Sequence, residues 1–141
     1  MELPLAGMSG LAISDILDQV MSSSFSCLIV DDSNAFCVAA RRVLEEAGIA
    51  VVGTASTLAD AVDTAVTAHP DLVLVDIDLG AESGFDVVEA LDAAALHPKP
   101  SIILVSTHDE EDFAELVENS SAIGYLQKFE LSATAIENLL R

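Results

Sequence analysis

Leu72-Val73-Leu74-Val75-Asp76, residues 72–76, is an unbroken apolar run that stops on a carboxylate. A strand wetted on one side alternates apolar and polar residues, whereas a short continuous run suits a strand buried on both faces. The same grammar repeats outward from this stretch. On its N-terminal side, His69-Pro70 closes a helical stretch from about Leu58 to Ala68; on its C-terminal side, a helix from about Gly84 to Leu96 is terminated by Pro98 and Pro100. Cys27-Leu28-Ile29-Val30 ends at Asp31-Asp32 and precedes a helical stretch from about Asn34 to Ala47, closed by Gly48. Ala50-Val51-Val52 is another run, Ile102-Ile103-Leu104-Val105 stops at Ser106, Gly124-Tyr125-Leu126-Gln127 precedes Lys128, and Ser132 to Leu140 reads as the last helix. Thr107 and Glu110 form a T-x-x-E sequence, which predicts a helix starting at Thr107 with Phe113, Leu116 and Val117 on its apolar side. Strand then helix, repeated in this way, predicts an α/β fold with a doubly wound, five-stranded parallel sheet covered by helices on both faces. Right-handed crossovers favour the strand order 2-1-3-4-5.

Composition narrows the partners. Five Lys plus Arg stand against 24 Asp plus Glu, a net charge of −19 with neutral His. Direct binding to nucleic acid or to an anionic membrane surface is disfavoured, because both depend on clustered cations. A hydrophobic fraction of 52% supports an aliphatic core, and no apolar run approaches the roughly 18 residues of a spanning helix. No ordinary signal peptide is visible, and Cys27 and Cys37 lack CxxC spacing, which predicts reduced, buried thiols in a cytoplasmic protein. Residues 1–24 read as a leader, either flexible or holding one short helix on the spacing Ile13, Ile16, Leu17, Val20.

In doubly wound sheets the ligand site lies beyond the carboxyl ends of the strands. The residues there are Asp31 and Asp32, Asp76 with Asp78, Ser106, and Lys128. Each has an ordinary structural use as a helix cap, an acidic turn or a solvated lysine. Their joint occurrence at four strand ends is what points to chemistry. Crowded carboxylates repel one another unless a cation compensates, and an oxygen-only ligand set that leaves room for water and phosphate suits Mg²⁺. Lys128 adds a positive charge and Ser106 a hydroxyl donor, the complement of a phosphoryl group. His69, His97 and His108 lack metal-ligand spacing, and neither GxGxxG, GxxxxGK[ST] nor GxSxG occurs.

On these residues the segment from Phe25 to Arg141 resembles a response-regulator receiver domain of two-component signalling systems. The features that carry the resemblance are Asp31-Asp32, Asp76 followed by Gly84, Ser106, and Tyr125-Leu126-Gln127-Lys128. It implies a flavodoxin-like (βα)5 fold over 25–141 and a phosphoryl group accepted by Asp76. It further implies Asp32 as a direct Mg²⁺ ligand, Asp31 acting through a water of the metal's shell, and Asp78 offering its backbone carbonyl. Lys128 and Ser106 would contact the phosphoryl group, and Tyr125 would be the switch aromatic that turns inward as Ser106 moves. Gly80 stands where many receivers have Pro, which predicts a looser loop after Asp76, and Phe129 replaces a proline common after the lysine.

The implied function is a receiver phosphorylated by a sensor histidine kinase or a histidine phosphotransfer protein, signalling by a conformational shift and not by turnover of a substrate. Phe113 and its neighbours are the expected output contacts, with His108 and Asp78 tuning the lifetime of the phosphate. The chain ends at Arg141, just after the last helix, so the output is expected from a downstream protein or from a domain missing here; a homodimer through the output face is left open. Two other readings use the same groups: a Mg²⁺-dependent phosphotransferase or phosphatase working through an aspartyl-phosphate, and a phosphate-independent interaction module.

Overall fold

The structure, a computed structural model, describes residues 25–141; the leader expected over 1–24 lies outside the described residues. The elements alternate as β1 (Ser26–Val30), α1 (Asn34–Glu46), β2 (Ala50–Ala55), α2 (Leu58–Ala68), β3 (Leu72–Asp76), α3 (Gly84–Ala93), β4 (Ser101–Ser106), α4 (Ala114–Glu118), β5 (Gly124–Gln127) and α5 (Ala133–Leu140). The five strands form one parallel sheet in the order β2-β1-β3-β4-β5.

Successive side chains of a strand point to opposite faces, and the core divides accordingly. Leu28, Val30, Val73, Val75, Ile102 and Leu104 pack on one face with Ala61, Ala65, Val87, Val88 and Leu91 of α2 and α3. Cys27, Ile29, Leu72, Leu74, Ile103 and Val105 pack on the other with Cys37, Ala40 and Leu44 of α1 and Ile136 of α5. Both cysteines are free and buried. Each fully buried Leu, Ile or Val contributes on the order of 1.5–3 kcal/mol, so the central strands, buried along their length, fix the register. Val30 lies opposite Val75, Asp76 opposite Val105, and Ser106 opposite Gln127. This register brings the carboxyl ends of β1, β3, β4 and β5 to one edge. At the edge strand β2 the register shifts between Cys27 and Leu28, which pair with Val51 and Gly53 and leave Val52 over.

Side-chain caps set most helix starts. Ser33, Thr57, Ser83 and Ser132 accept backbone N–H bonds from Phe36, Asp60, Phe85 and Ala135 at the heads of α1, α2, α3 and α5. α4 is the exception, with Phe113 at its cap position and no side-chain cap. The T-x-x-E sequence predicts a helix from Thr107, yet Thr107 is exposed, a 3-10 turn occupies Glu110–Asp112, and the helix begins only at Ala114. The backbone ahead of it is committed elsewhere: the His108 N–H donates to Ser106 Oγ at 3.1 Å and the His108 carbonyl accepts from the Tyr125 hydroxyl. Peptide groups held by neighbouring strands are not free to wind into a turn. α3 stops at Ala93 rather than Leu96, because Ala95 takes a left-handed φ of +51°.

Candidate functional site

The two acidic residues after β1 have different surroundings. Asp31 is buried; its Oδ1 accepts from the Ser33 N–H at 2.7 Å, and its own N–H donates to the Ala55 carbonyl at 2.9 Å. Asp32, next along the chain, is exposed. Asp76, the last residue of β3, is 4% exposed, and its Oδ1 accepts from the Asp78 N–H at 3.1 Å. Lys128, just past β5, joins them: its Nζ lies 2.7 Å from Asp31 Oδ2 and 3.3 Å from Asp76 Oδ2. The same ammonium sits 4.6 Å from the ring centre of Phe36 in the first turn of α1, a cation–π contact.

Carboxylate oxygens of Asp31, Asp32 and Asp76 all lie within 4.8 Å of one another. Asp32, Asp76, Asp78, Gly80, Ser106, Thr107 and Lys128 line one pocket of about 250 Å³. Burial raises the Asp76 pKa from 3.8 to about 6, with the Asp31 charge adding to the rise and the Asp78 N–H and Lys128 opposing it. For Lys128 burial acts in the opposite sense, but the pairing with Asp31 and Asp76 outweighs it and the pKa is raised. The arrangement is a buried carboxylate, a cation and an acidic rim in one small pocket.

The loop after Asp76 differs from its sequence reading. Instead of loosening, it folds into a two-residue antiparallel ladder that pairs Asp78 with Ser83 and Leu79 with Glu82. Gly80, at φ +74°, takes the first turn position, where a tight hairpin calls for positive φ. Its N–H donates to Asp78 Oδ1 at 3.2 Å. Gly84 is explained by close approach: a Cβ there would meet the Asp76 carbonyl oxygen at 2.2 Å and the Ile77 Cα at 2.8 Å. The head of α3 therefore rests directly on the backbone of Asp76 and Ile77, and the Gly84 N–H donates to the Ile77 carbonyl at 2.7 Å. After Lys128 the chain makes a 3-10 turn, Lys128–Glu130, and the cis peptide bond among the described residues is at His97–Pro98, not at Lys128–Phe129.

Ser106 lines the pocket, but its hydroxyl also contacts His108 Nδ1 at 3.3 Å. Tyr125 stands outside the pocket; it is buried, points inward, and donates its hydroxyl to the His108 carbonyl. Phe113 is half-buried, with Phe85 at 6.4 Å and His108 at 5.9 Å between ring centres. The outward apolar residue of α4 is Leu116, 53% exposed, so the face expected around Phe113 is presented by its neighbour.

Against known proteins, the family described as "Response regulator receiver domain" matches residues 27–140. The chain belongs to this family of receiver domains. The receiver is 34% identical over 102 residues to the response regulator UvrY of Escherichia coli K12, an alignment covering 72% of this chain and 46% of that protein. It is 28% identical over 120 residues to the transcriptional regulatory protein DegU of Brevibacillus brevis, covering 84% of this chain and 50% of that one. The chain thus spans about half the length of the curated relatives it matches. Among solved structures, the chemotaxis protein CheY4 of Vibrio cholerae superposes with a TM-score of 0.73 at 25% identity, over 83% of this chain and 97% of that one. The receiver's sheet order and its flavodoxin-like layering agree with that likeness. Among the described residues no helix is long and apolar enough to cross a membrane.

Sequence reasoning reached Asp31, Asp32, Asp76, Asp78, Ser106 and Lys128, which the receiver fold does bring together. It missed Phe36 under the lysine and Glu82 in the ladder. An aromatic three residues past Ser33 or an acid in an acidic loop carries no local signal of such contacts.

Proposed function

We propose that this receiver accepts a phosphoryl group on Asp76 from a phosphohistidine on a sensor histidine kinase or histidine phosphotransfer protein, and signals by rearranging the loop ahead of α4. The observation that carries the reading is the placement of Asp76: a buried carboxylate at the floor of a pocket, bonded on one oxygen by the Asp78 N–H and approached on the other by Lys128. A carboxylate oxygen of Asp76 attacks phosphorus; the new P–O bond forms as the P–N bond breaks, and the leaving imidazole keeps the electron pair and takes up a proton. Lys128, 3.3 Å from Asp76 Oδ2, stabilises charge on the phosphoryl oxygens, and Ser106, in the same pocket lining, offers its hydroxyl.

Asp31, Asp32 and Asp76, with the backbone carbonyl of Asp78, are the groups that would hold Mg²⁺. The fit rests on three carboxylate oxygens within 4.8 Å of one another and on an oxygen-only donor set. Bound there, the ion would neutralise the carboxylates and the incoming phosphoryl oxygens. Ser106 must exchange its contacts with His108 for the phosphoryl group, and His108 is also what Tyr125 holds. That exchange couples the pocket to Tyr125 and to the uncapped, five-residue α4, the element with the least support of its own. The name of DegU, a transcriptional regulatory protein, supports a role upstream of transcription, through a downstream protein or an output domain.

The test is intact mass after exposure to acetyl phosphate. One added phosphoryl mass is expected with Mg²⁺ and none after chelation; no gain by a folded protein that binds Mg²⁺ would leave a phosphate-independent interaction module. A pocket of about 250 Å³ is below the roughly 300–1,000 Å³ typical of small-molecule sites, which weighs against a phosphatase of small substrates. His108→Ala removes the ring that contacts the Ser106 hydroxyl, and Asp78→Asn removes the charge of an exposed acid in the pocket lining. Each is expected to change the dephosphorylation rate severalfold, read as the decay of the added mass, and unchanged decay in both would show that neither tunes the lifetime.

A further inference from the structure

Glu82 is half-buried in the short ladder after Asp76, and its Oε1 accepts the backbone N–H of Leu58, the first residue of α2, at 2.8 Å. The first N–H groups of a helix have no intrahelical partner. Thr57 Oγ1 takes the Asp60 N–H, and Glu82, 24 residues along the chain, takes that of Leu58. A carboxylate is also favoured there by the helix dipole.

The bond closes a ring around the acidic edge of the sheet. Asp31 is fixed to β2 by its N–H to the Ala55 carbonyl, and β2 leads through Ser56 and Thr57 to Leu58. Leu58 is tied to Glu82, Glu82 pairs with Leu79 in the ladder, and Asp78, next to Leu79, donates its N–H to Asp76 Oδ1. The ladder wall stands beside Asp32: a Cβ on Gly80 would lie 3.5 Å from Asp32 Oδ2. Every strand-end carboxylate of the site therefore touches this ring or follows a residue that does. Within itself the ladder is one pair of two-residue strands, and such hairpins are marginal alone; buried Leu79 and the Gly84 N–H bond to the Ile77 carbonyl seat its base, while the Glu82 bond is what ties it across to α2.

We infer that Glu82 is a positioning residue for the phosphoryl-acceptor site: by tying the loop after Asp76 to the head of α2 it holds the Asp78 backbone and the Gly80 turn where the metal and the phosphoryl group need them. The inference rests on the proposed role of Asp76. It assigns to an acid outside the pocket lining a function in setting the pocket's shape.

Glu82→Ala deletes the acceptor, and Glu82→Gln keeps an amide oxygen at the same reach without the charge. Two readouts are needed: Mg²⁺ affinity by titration calorimetry on the unphosphorylated protein, and amide hydrogen exchange at Leu58 and Asp78. Glu82→Ala is expected to lose protection at both amides and to weaken Mg²⁺ binding on the order of tenfold, the lower end of what supporting partners of metal ligands cost. Glu82→Gln is expected to restore most of both. Wild-type Mg²⁺ affinity in a folded Glu82→Ala protein, or a Gln variant as impaired as the Ala variant, would overturn the inference. A lowered unfolding midpoint with unchanged Mg²⁺ affinity would overturn it too, showing a helix cap and nothing more. Failure of the Asp76 reading itself would look different, since the wild-type protein would then gain no phosphoryl mass.

Discussion

Asp76→Asn should give a protein that gains no mass from acetyl phosphate and yet resists urea better than the wild type at pH 7. The first outcome follows from replacing the proposed carboxylate nucleophile with an amide. The second follows from the cost of the carboxylate in its setting. Asp76 is 4% exposed, and burial, with the Asp31 charge behind it, raises its pKa from 3.8 to about 6. A carboxyl whose folded pKa is raised contributes stability that is fully present below its unfolded pKa and lost as pH rises through the folded value. The wild type therefore gives up stability between about pH 4 and about pH 6, on the order of 3 kcal/mol at 1.36 kcal/mol per unit. Asn resembles the protonated form and gives up none of it. Urea unfolding of both proteins without Mg²⁺ at pH 4 and pH 7 isolates the contribution as a difference, leaving the other carboxylates common to both. A variant no more stable than the wild type at pH 7 would mean that Asp76 is not destabilised by its surroundings.

The fold was legible because burial writes itself into composition. Leu72–Val75 and Ile102–Val105 are unbroken apolar runs, and the structure buries every one of those residues. The carboxylates at their ends are local signals as well, since a charged residue closing a buried strand marks the edge of the sheet. What the sequence did not show depends on contacts between distant segments. The T-x-x-E at Thr107 is a sound local signal that loses to a competing local bond, the His108 N–H to Ser106 Oγ, and to a tertiary one, the Tyr125 hydroxyl to the His108 carbonyl. Gly80 suggests freedom when read alone, but the ladder that constrains it needs Glu82 and Ser83 opposite Leu79 and Asp78. Gly84 is conspicuous in sequence, while its reason, the Asp76 carbonyl against its Cα, exists only once α3 has packed. The pairing of Lys128 with Asp31 rather than with Asp76 alone is likewise a product of register: the ends of β1, β3 and β5 arrive at the same edge, and the more deeply buried acid takes the shorter contact.

That pairing makes Lys128→Met the substitution with the largest expected effect on stability. The Asp31 side chain is fully buried and that of Asp76 is 6% exposed, and Lys128 is the cation at both. Removing one member of a buried ion pair leaves the other charged and uncompensated, which costs about 3–5 kcal/mol, whereas the contact with Phe36 accounts for about 0.5–2 kcal/mol. Met keeps the length and apolar bulk of the side chain, so the loss is mainly electrostatic. The sign of the pH dependence is then fixed. Without the lysine the Asp76 pKa rises further, because one of the two groups lowering it is gone. The variant relieves part of the repulsion by protonating Asp76 but has still lost the 2.7 Å partner of buried Asp31, so its deficit relative to the wild type should narrow toward pH 5 and open fully by pH 8. Mg²⁺ should close it again, since a divalent ion among Asp31, Asp32 and Asp76 supplies the missing charge. Urea midpoints for both proteins at the two pH values, with and without Mg²⁺, measure all four corners. A deficit that ignores both pH and Mg²⁺ would assign Lys128 to packing on Phe36; one that Mg²⁺ erases at pH 8 would show that lysine and metal answer the same buried charge. In the second case the resting lysine is an internal counterion for Asp31 and Asp76, and a bound metal would free it to meet the phosphoryl oxygens at the proposed acceptor.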